Sequence, residues 1–193
     1  MEMSGEQVIA APRERVWAAL NDADVLRRSI DGCESLEKTS DTRFTAKVVA
    51  RIGPVKAPFG GIITLSDIDP PNGYTIGGEG GGGGIGMARG GAKVTLVDEG
   101  GATRLRYAVT AEVSGKLAQI GSRLIDGAAR KMADDFFGRF AAIVTEGVPT
   151  SGQMPARGRY TVVFDLRWAV VAAAALMAVS GWIGFVLGQG AHP

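Results

Sequence analysis

The chain has 193 residues, with 21 Lys and Arg against 20 Asp and Glu and a formal net charge of +1. That length fits one domain with an appendage. A balance this close to neutral excludes the electrostatic footprint of a nucleic-acid-binding protein. The charge is divided unevenly: residues 1–147 hold 18 Lys/Arg and 19 Asp/Glu, whereas beyond them Arg157, Arg159 and Arg167 face only Asp165. The single cysteine, Cys33, excludes an intramolecular disulfide and fits a reducing compartment. The first fifteen residues include Glu2, Glu6, Arg13, Glu14 and Arg15 and no apolar run, so no signal peptide is expected.

Residues 3–10 read as a short strand. In the helix predicted over 11–20, Pro12 suits the first turn, and Val16, Trp17 and Leu20 form one apolar edge. Asp22 is placed to cap a second short helix ending at Ser29, and Ile30-Asp31-Gly32-Cys33 turns the chain back toward a strand. From there the hydrophobic period is two. Phe44, Ala46, Val48, Ala50 and Ile52 alternate with polar residues, as do Leu105, Tyr107, Val109, Ala111 and Val113, and strands are also predicted at 62–68 and 92–97. Turn signals at Gly53-Pro54, Pro70 to Gly73 and Glu99 to Gly101 separate them.

The tract from Gly77 to Gly86 contains Gly78, Gly80 and Gly83 in a G-x-G-x-x-G spacing, but no helix follows and no βαβ unit surrounds it, so a nucleotide site is not expected. Glycines here fit a hairpin, either a mobile gate for a ligand or a plain surface loop. The period then changes to that of a helix across Gly115–Gly147, with Ser114 as N-cap and the stripe Leu117, Ile120, Leu124, Ala128, Met132, Phe136, Phe140 and Val144. About thirty residues at 1.5 Å each would span roughly 45 Å. Gly121, Gly127, Ala128 and Ala129 are small residues on or beside this stripe, which permits close packing on a sheet or leaves space for an apolar guest. The architecture read from these periods is α+β, a helix-grip in which a curved antiparallel sheet holds a long C-terminal helix.

Residues 148–167 combine Pro, Gly and Ser with arginines and read as a flexible linker. Residues 168–187 carry no charge and have the length of a transmembrane anchor; residues 188–193 form a short tail. The arginines precede the span, so the positive-inside rule predicts a single-pass anchor in the cell inner membrane with residues 1–147 on the cytoplasmic side.

Catalytic constellations are not found. The sole histidine, His192, lies in the tail, which removes a Ser-His-Asp triad, a Cys-His pair and a His-based zinc site. Asp134-Asp135 and Asp67/Asp69 do not read as a paired acid and base. Tyr107 is either a hydrogen-bond donor into a cavity or a buried structural tyrosine.

Specific motifs carry a family resemblance. V-I-A-A-P-R-E-R-V-W-A-A-L-N-D at 8–22 resembles the opening of the SRPBCC (START-like) superfamily. I-D-G-C-E-S-L-E-K at 30–38, I-G-P-V-K-A-P-F-G-G at 52–61 and G-K-L-A-Q-I-G-S-R-L-I at 115–125, with the glycine hairpin, resemble the CoxG family of carbon monoxide dehydrogenase subunits. The likeness covers about residues 2–146; relatives often have proline where Asp31 stands. The resemblance implies a non-catalytic accessory protein of the aerobic molybdenum–copper CO dehydrogenase, or of a related molybdenum hydroxylase, and a superfamily cavity that holds an apolar molecule. It supplies no catalytic residues.

Together these features lead to the expectation of a tethered accessory protein, not an enzyme. It would recruit its oxidoreductase to the membrane and bind a respiratory quinone, menaquinone or ubiquinone, with no covalent cofactor and no metal. Facing positions nominate Phe44, Val48, Phe59, Met87, Tyr107, Val109, Leu117, Ile120, Leu124, Ala128, Met132 and Phe136 as the cavity wall. A pure anchor or assembly factor with a filled core and an enzyme of the polyketide-cyclase type are the alternatives.

Overall fold

The computed structural model describes residues 2–52, 55–82 and 84–146. Strand β1 (Glu2–Ile9) leads to helices α1 (Arg13–Leu20) and α2 (Ala23–Ser29). Strands β2 (Cys33–Ser40), β3 (Arg43–Ile52), β4 (Val55–Asp69), β5 (Gly73–Gly82), β6 (Gly86–Asp98) and β7 (Thr103–Val113) follow, then α3 (Lys116–Gln119) and α4 (Ser122–Thr145). The strands form one seven-stranded sheet in the order β1-β7-β6-β5-β4-β3-β2, antiparallel throughout. Successive hairpins build β2 to β7, and α1 and α2 carry the chain from one edge of the sheet to the other.

Local chemistry explains the helices between the edges. Asp22 Oδ1 accepts from the backbone N–H of Asp24 (2.8 Å) and Val25 (3.2 Å), satisfying donors that α2 cannot pair internally, and Arg27 and Arg28 sit at its C-terminal dipole. Buried Thr103 donates from Oγ1 to the Ala11 carbonyl at 2.7 Å, fastening the start of β7 to the turn that enters α1.

The period-two reading holds on β3 and β7. Phe44, Ala46, Val48 and Ala50, like Leu105, Tyr107, Val109 and Ala111, are buried on the face that meets α4. The glycine tract is strand rather than loop: β5 runs to Gly82 and β6 starts at Gly86. Gly78 and Gly80 therefore lie within a sheet and not ahead of a helix, which disposes of the dinucleotide reading.

The long C-terminal helix differs from the expectation of one uninterrupted element. Gly121 has φ +94°, and the chain breaks there into α3 and α4, with Gly115 and Gly121 rather than Ser114 at the N-caps. The break shifts the helical phase, so that Ile125, Ala129 and Ala133 are buried where Leu124 and Ala128 were expected to lead the stripe; Phe136, Phe140 and Val144 face inward as predicted. No helix among the described residues is long and apolar enough to cross a membrane. The linker, the anchor over 168–187 and the tail lie outside the described residues.

Candidate functional site

Helix α4 presents a row of aromatic rings to the sheet. Tyr107 of β7 stacks on Phe137 at 5.1 Å between centroids, Phe137 meets Phe136 edge-on at 5.1 Å, and Phe136 stacks on Phe140 at 5.6 Å. On the far side of the same space, Trp17 of α1 packs against Tyr74 of β5 at 5.4 Å. Between them the side chains do not close. An interior cavity of about 60 Å³ remains, lined by Leu20, Leu26, Leu36, Phe44, Ile63, Leu65, Tyr74, Ile76, Ala92, Val94, Leu105, Tyr107, Phe136 and Phe137. Residues from α1, α2, α4 and every strand from β2 to β7 converge on it.

Of the expected wall residues, Phe44, Tyr107 and Phe136 line this space. Val48, Phe59, Val109 and Leu117 are buried nearer the β5–β6 hairpin, and Ile120, Ala128 and Met132 pack at the margin of the core. Met87 and Leu124 are corrections, since they are 56% and 53% exposed. Met87 falls on the outer face because β6 alternates from Gly86, and Leu124 is turned outward by the break at Gly121. Leu105 and Val94 share the inward face with Tyr107 and were legible from the period of two. Leu20, Leu26 and Tyr74 were not: a sequence pattern does not reveal that α1 and α2 plug the end of the grip.

The polar side chains of the wall are both phenols. Neither Tyr74 nor Tyr107 makes a hydrogen bond among the described residues, and the buried Arg13 Nε is the one fully enclosed side-chain polar atom there without a partner. Burial raises the pKa of both phenols, with the Asp134 carboxylate adding to the effect at Tyr107. Both therefore stay protonated across the physiological range. Leaving such a hydroxyl unpaired in an apolar site costs about 1–3 kcal/mol.

The ends of α4 are held differently. Toward its C-terminus Arg139 Nη2 donates to Asp31 Oδ1 at 2.8 Å, and Arg15 reaches the carbonyl of Glu146. Toward its N-terminus the buried residues of the helix are Ile125 and the small Ala129 and Ala133. The hairpin tip docks on the start of α3: Leu117 N–H donates to the Ile85 carbonyl at 2.7 Å and Ser114 N–H to the Met87 carbonyl at 2.8 Å. The tip is thus fastened to the helical segment and is not a free flap.

A second hollow, about 700 Å³, is an open trough on the outer face of the sheet. One row crosses it from Glu2 through Thr110, Gly91, Gly77 and Thr64 to Arg43, with two glycines leaving its middle bare. Beside the row, Arg89 Nη2 donates to Glu112 at 2.6 Å. The trough is bathed by solvent, so it cannot desolvate a ligand as the interior cavity can. Among the described residues no group of three or more His, Cys, Asp or Glu side chains is placed to hold a metal.

A curved antiparallel sheet closed over a C-terminal helix, with an apolar cavity between them, defines a START-like helix-grip protein. The chain belongs to the CoxG family of carbon monoxide dehydrogenase subunits, whose profile matches residues 5–145. A conserved protein from Geobacillus kaustophilus is 32% identical, with a TM-score of 0.71 over 75% of this chain and 95% of that one. A START superfamily protein from Mycobacterium smegmatis (12% identity, TM-score 0.58, 74% and 96% covered) is similar in fold. So is an aromatase/cyclase from a Streptomyces species (15% identity, TM-score 0.55, 80% and 99% covered). Comparison with curated proteins gives no match.

Proposed function

We propose that the protein is a membrane-tethered accessory of CO dehydrogenase that carries a respiratory quinone in its grip. The observation that carries this reading is the apolar cavity between the sheet and α4, in a chain whose family is named for the dehydrogenase. Quinone rings and isoprenoid tails gain about 0.8 kcal/mol for each CH₂ removed from water, and the wall is hydrocarbon apart from two phenols. A linker of about twenty residues has an r.m.s. reach of roughly 25 Å. With an anchor at 168–187 it would keep the domain beside the cytoplasmic face of the bilayer, where a lipid can be lifted out and the enzyme met. The cavity wall offers no carboxylate, histidine or amine for proton transfer, which supports a carrier over a catalyst. The aromatase/cyclase likeness lies at the level of fold.

In its present packing the cavity is a fraction of the roughly 300–1,000 Å³ that lipophilic ligands fill. Loading therefore requires α4 to lift from the sheet, and its N-terminal half, buried through Ile125, Ala129 and Ala133, is the part that makes no side-chain hydrogen bond to another element among the described residues. The same small volume favours a second reading, an anchor with a nearly filled core that binds protein alone. The full chain, incubated with quinone-containing membrane vesicles, repurified and extracted with solvent, separates the two. Near-stoichiometric quinone in the extract is the expected result. Ala92→Leu, which fills the cavity from β6, should abolish that quinone and leave binding to the dehydrogenase intact. An empty wild-type protein that still binds its enzyme would leave only the anchor.

A further inference from the structure

The phenols of the cavity are not equivalent. Tyr74 and Tyr107 stand on one inward row, each paired with Val94 of β6 between them. Tyr107 is drawn to the side: its hydroxyl sits over Gly5 of edge strand β1, 2.3 Å from where a Cβ would stand, and its ring is committed to Phe137. Tyr74 leans on Trp17, is only 5% exposed, and has no hydrogen-bond partner among the described residues. A nearly buried hydroxyl without a partner is thus carried by a side chain that lines the cavity.

What that space accepts follows from its charge. No Lys, Arg or His lines it, so an ionised headgroup would be buried without a counter-charge. A protonated phenol in hydrocarbon calls for a neutral acceptor. We propose that the Tyr74 hydroxyl is the donor that seats a neutral carbonyl of the lipophilic ligand, fixing its polar end beside α1. The apolar remainder then extends along α4 toward the β5–β6 hairpin, past Ala133 and Ala129. The assignment rests on the carrier reading above and adds the headgroup class: carbonyl admitted, carboxylate refused.

The test uses the full chain in detergent with Trp168→Phe and Trp182→Phe, which leaves Trp17, against the Tyr74 ring, as the sole tryptophan. Trp17 fluorescence is titrated with a naphthoquinone bearing two isoprenyl units, with the carbonyl-free naphthalene of the same chain, and with palmitate at pH 8. Tyr74→Phe should weaken the naphthoquinone about tenfold, the share of one buried hydrogen bond, and leave the hydrocarbon unchanged, which shows the cavity intact. Palmitate should bind more weakly than the quinone. An unchanged quinone affinity in Tyr74→Phe overturns the donor assignment while the carrier reading stands. Palmitate binding as tightly as the quinone overturns the headgroup class. If wild type takes up neither quinone nor hydrocarbon, the carrier reading fails and this assignment falls with it.

Discussion

Tyr74 is a liability in the unliganded protein. Its hydroxyl is desolvated and unpartnered, so Tyr74→Phe, which keeps the ring against Trp17, is expected to stabilise the empty protein by up to about 1 kcal/mol. For a domain of this size that is roughly 2–4 °C in Tm. A fall of several degrees in thermal melts would show that the hydroxyl has a partner and serves the fold. Asp31 is the converse case, a surface residue whose carboxylate is held in an ion pair with Arg139. The Arg139 hydrogen bond holds its carboxyl below the usual range of 3.8. Its contribution is therefore complete above pH 3.8 and is lost as pH falls through the lowered value. Both side chains are nearly half exposed, so the pair is worth less than about 1 kcal/mol. Arg139→Gln should lower Tm slightly at pH 7, and melts of the two proteins should converge as pH falls below 3.8 and Asp31 is protonated in both. A gap that persists there would mean that Arg139 acts through packing instead.

At the scale of elements, glycines decide where α3, α4 and the hairpin meet. Gly86 has φ +127°, and a Cβ there would stand 2.0 Å from the Ser114 carbonyl oxygen, whereas Gly121 has φ +94° with open space around it. Gly121→Ala pays backbone strain alone, about 1–3 kcal/mol. Gly86→Ala adds a collision that undocks the hairpin from α3, so its urea midpoint should fall further, by the equivalent of at least about 1 kcal/mol more. Equal losses would mean that the docking contributes nothing. The same glycines account for what the sequence concealed. Strands β3 and β7 were legible because Phe44, Val48, Leu105 and Val109 alternate with charged or hydroxyl side chains. Strand β5 and the first half of β6 were not, because glycine has no side chain with which to write a period of two, whereas the second half of β6 was read as a strand at 92–97. The helix stripe was legible from Phe136 to Val144 and slipped upstream of it, because Gly121 resets the phase and substitutes Ile125 for Leu124. The cavity was half legible: a local pattern names which face is inward, as for Phe44 and Tyr107, but not which distant elements arrive opposite it.

For the molecule as a whole, α4 is fastened by side-chain hydrogen bonds near its C-terminal end and by the apolar contacts of Ile125, Ala129 and Ala133 near the other, with the cavity beside the hydrogen-bonded half. That arrangement lets one end of the helix lift while the other stays in register. It also places the exposed Met87 and Leu124 close to the end that would lift. The void itself makes the folded protein compressible. A space of about 60 Å³ per molecule corresponds to about 36 mL/mol, well within the volume by which proteins shrink on unfolding. Hydrostatic pressure should therefore unfold the empty protein readily, and Ala92→Leu, with the void filled, should resist it. A bound ligand should do the same, so the pressure midpoint becomes a direct gauge of whether the grip is full.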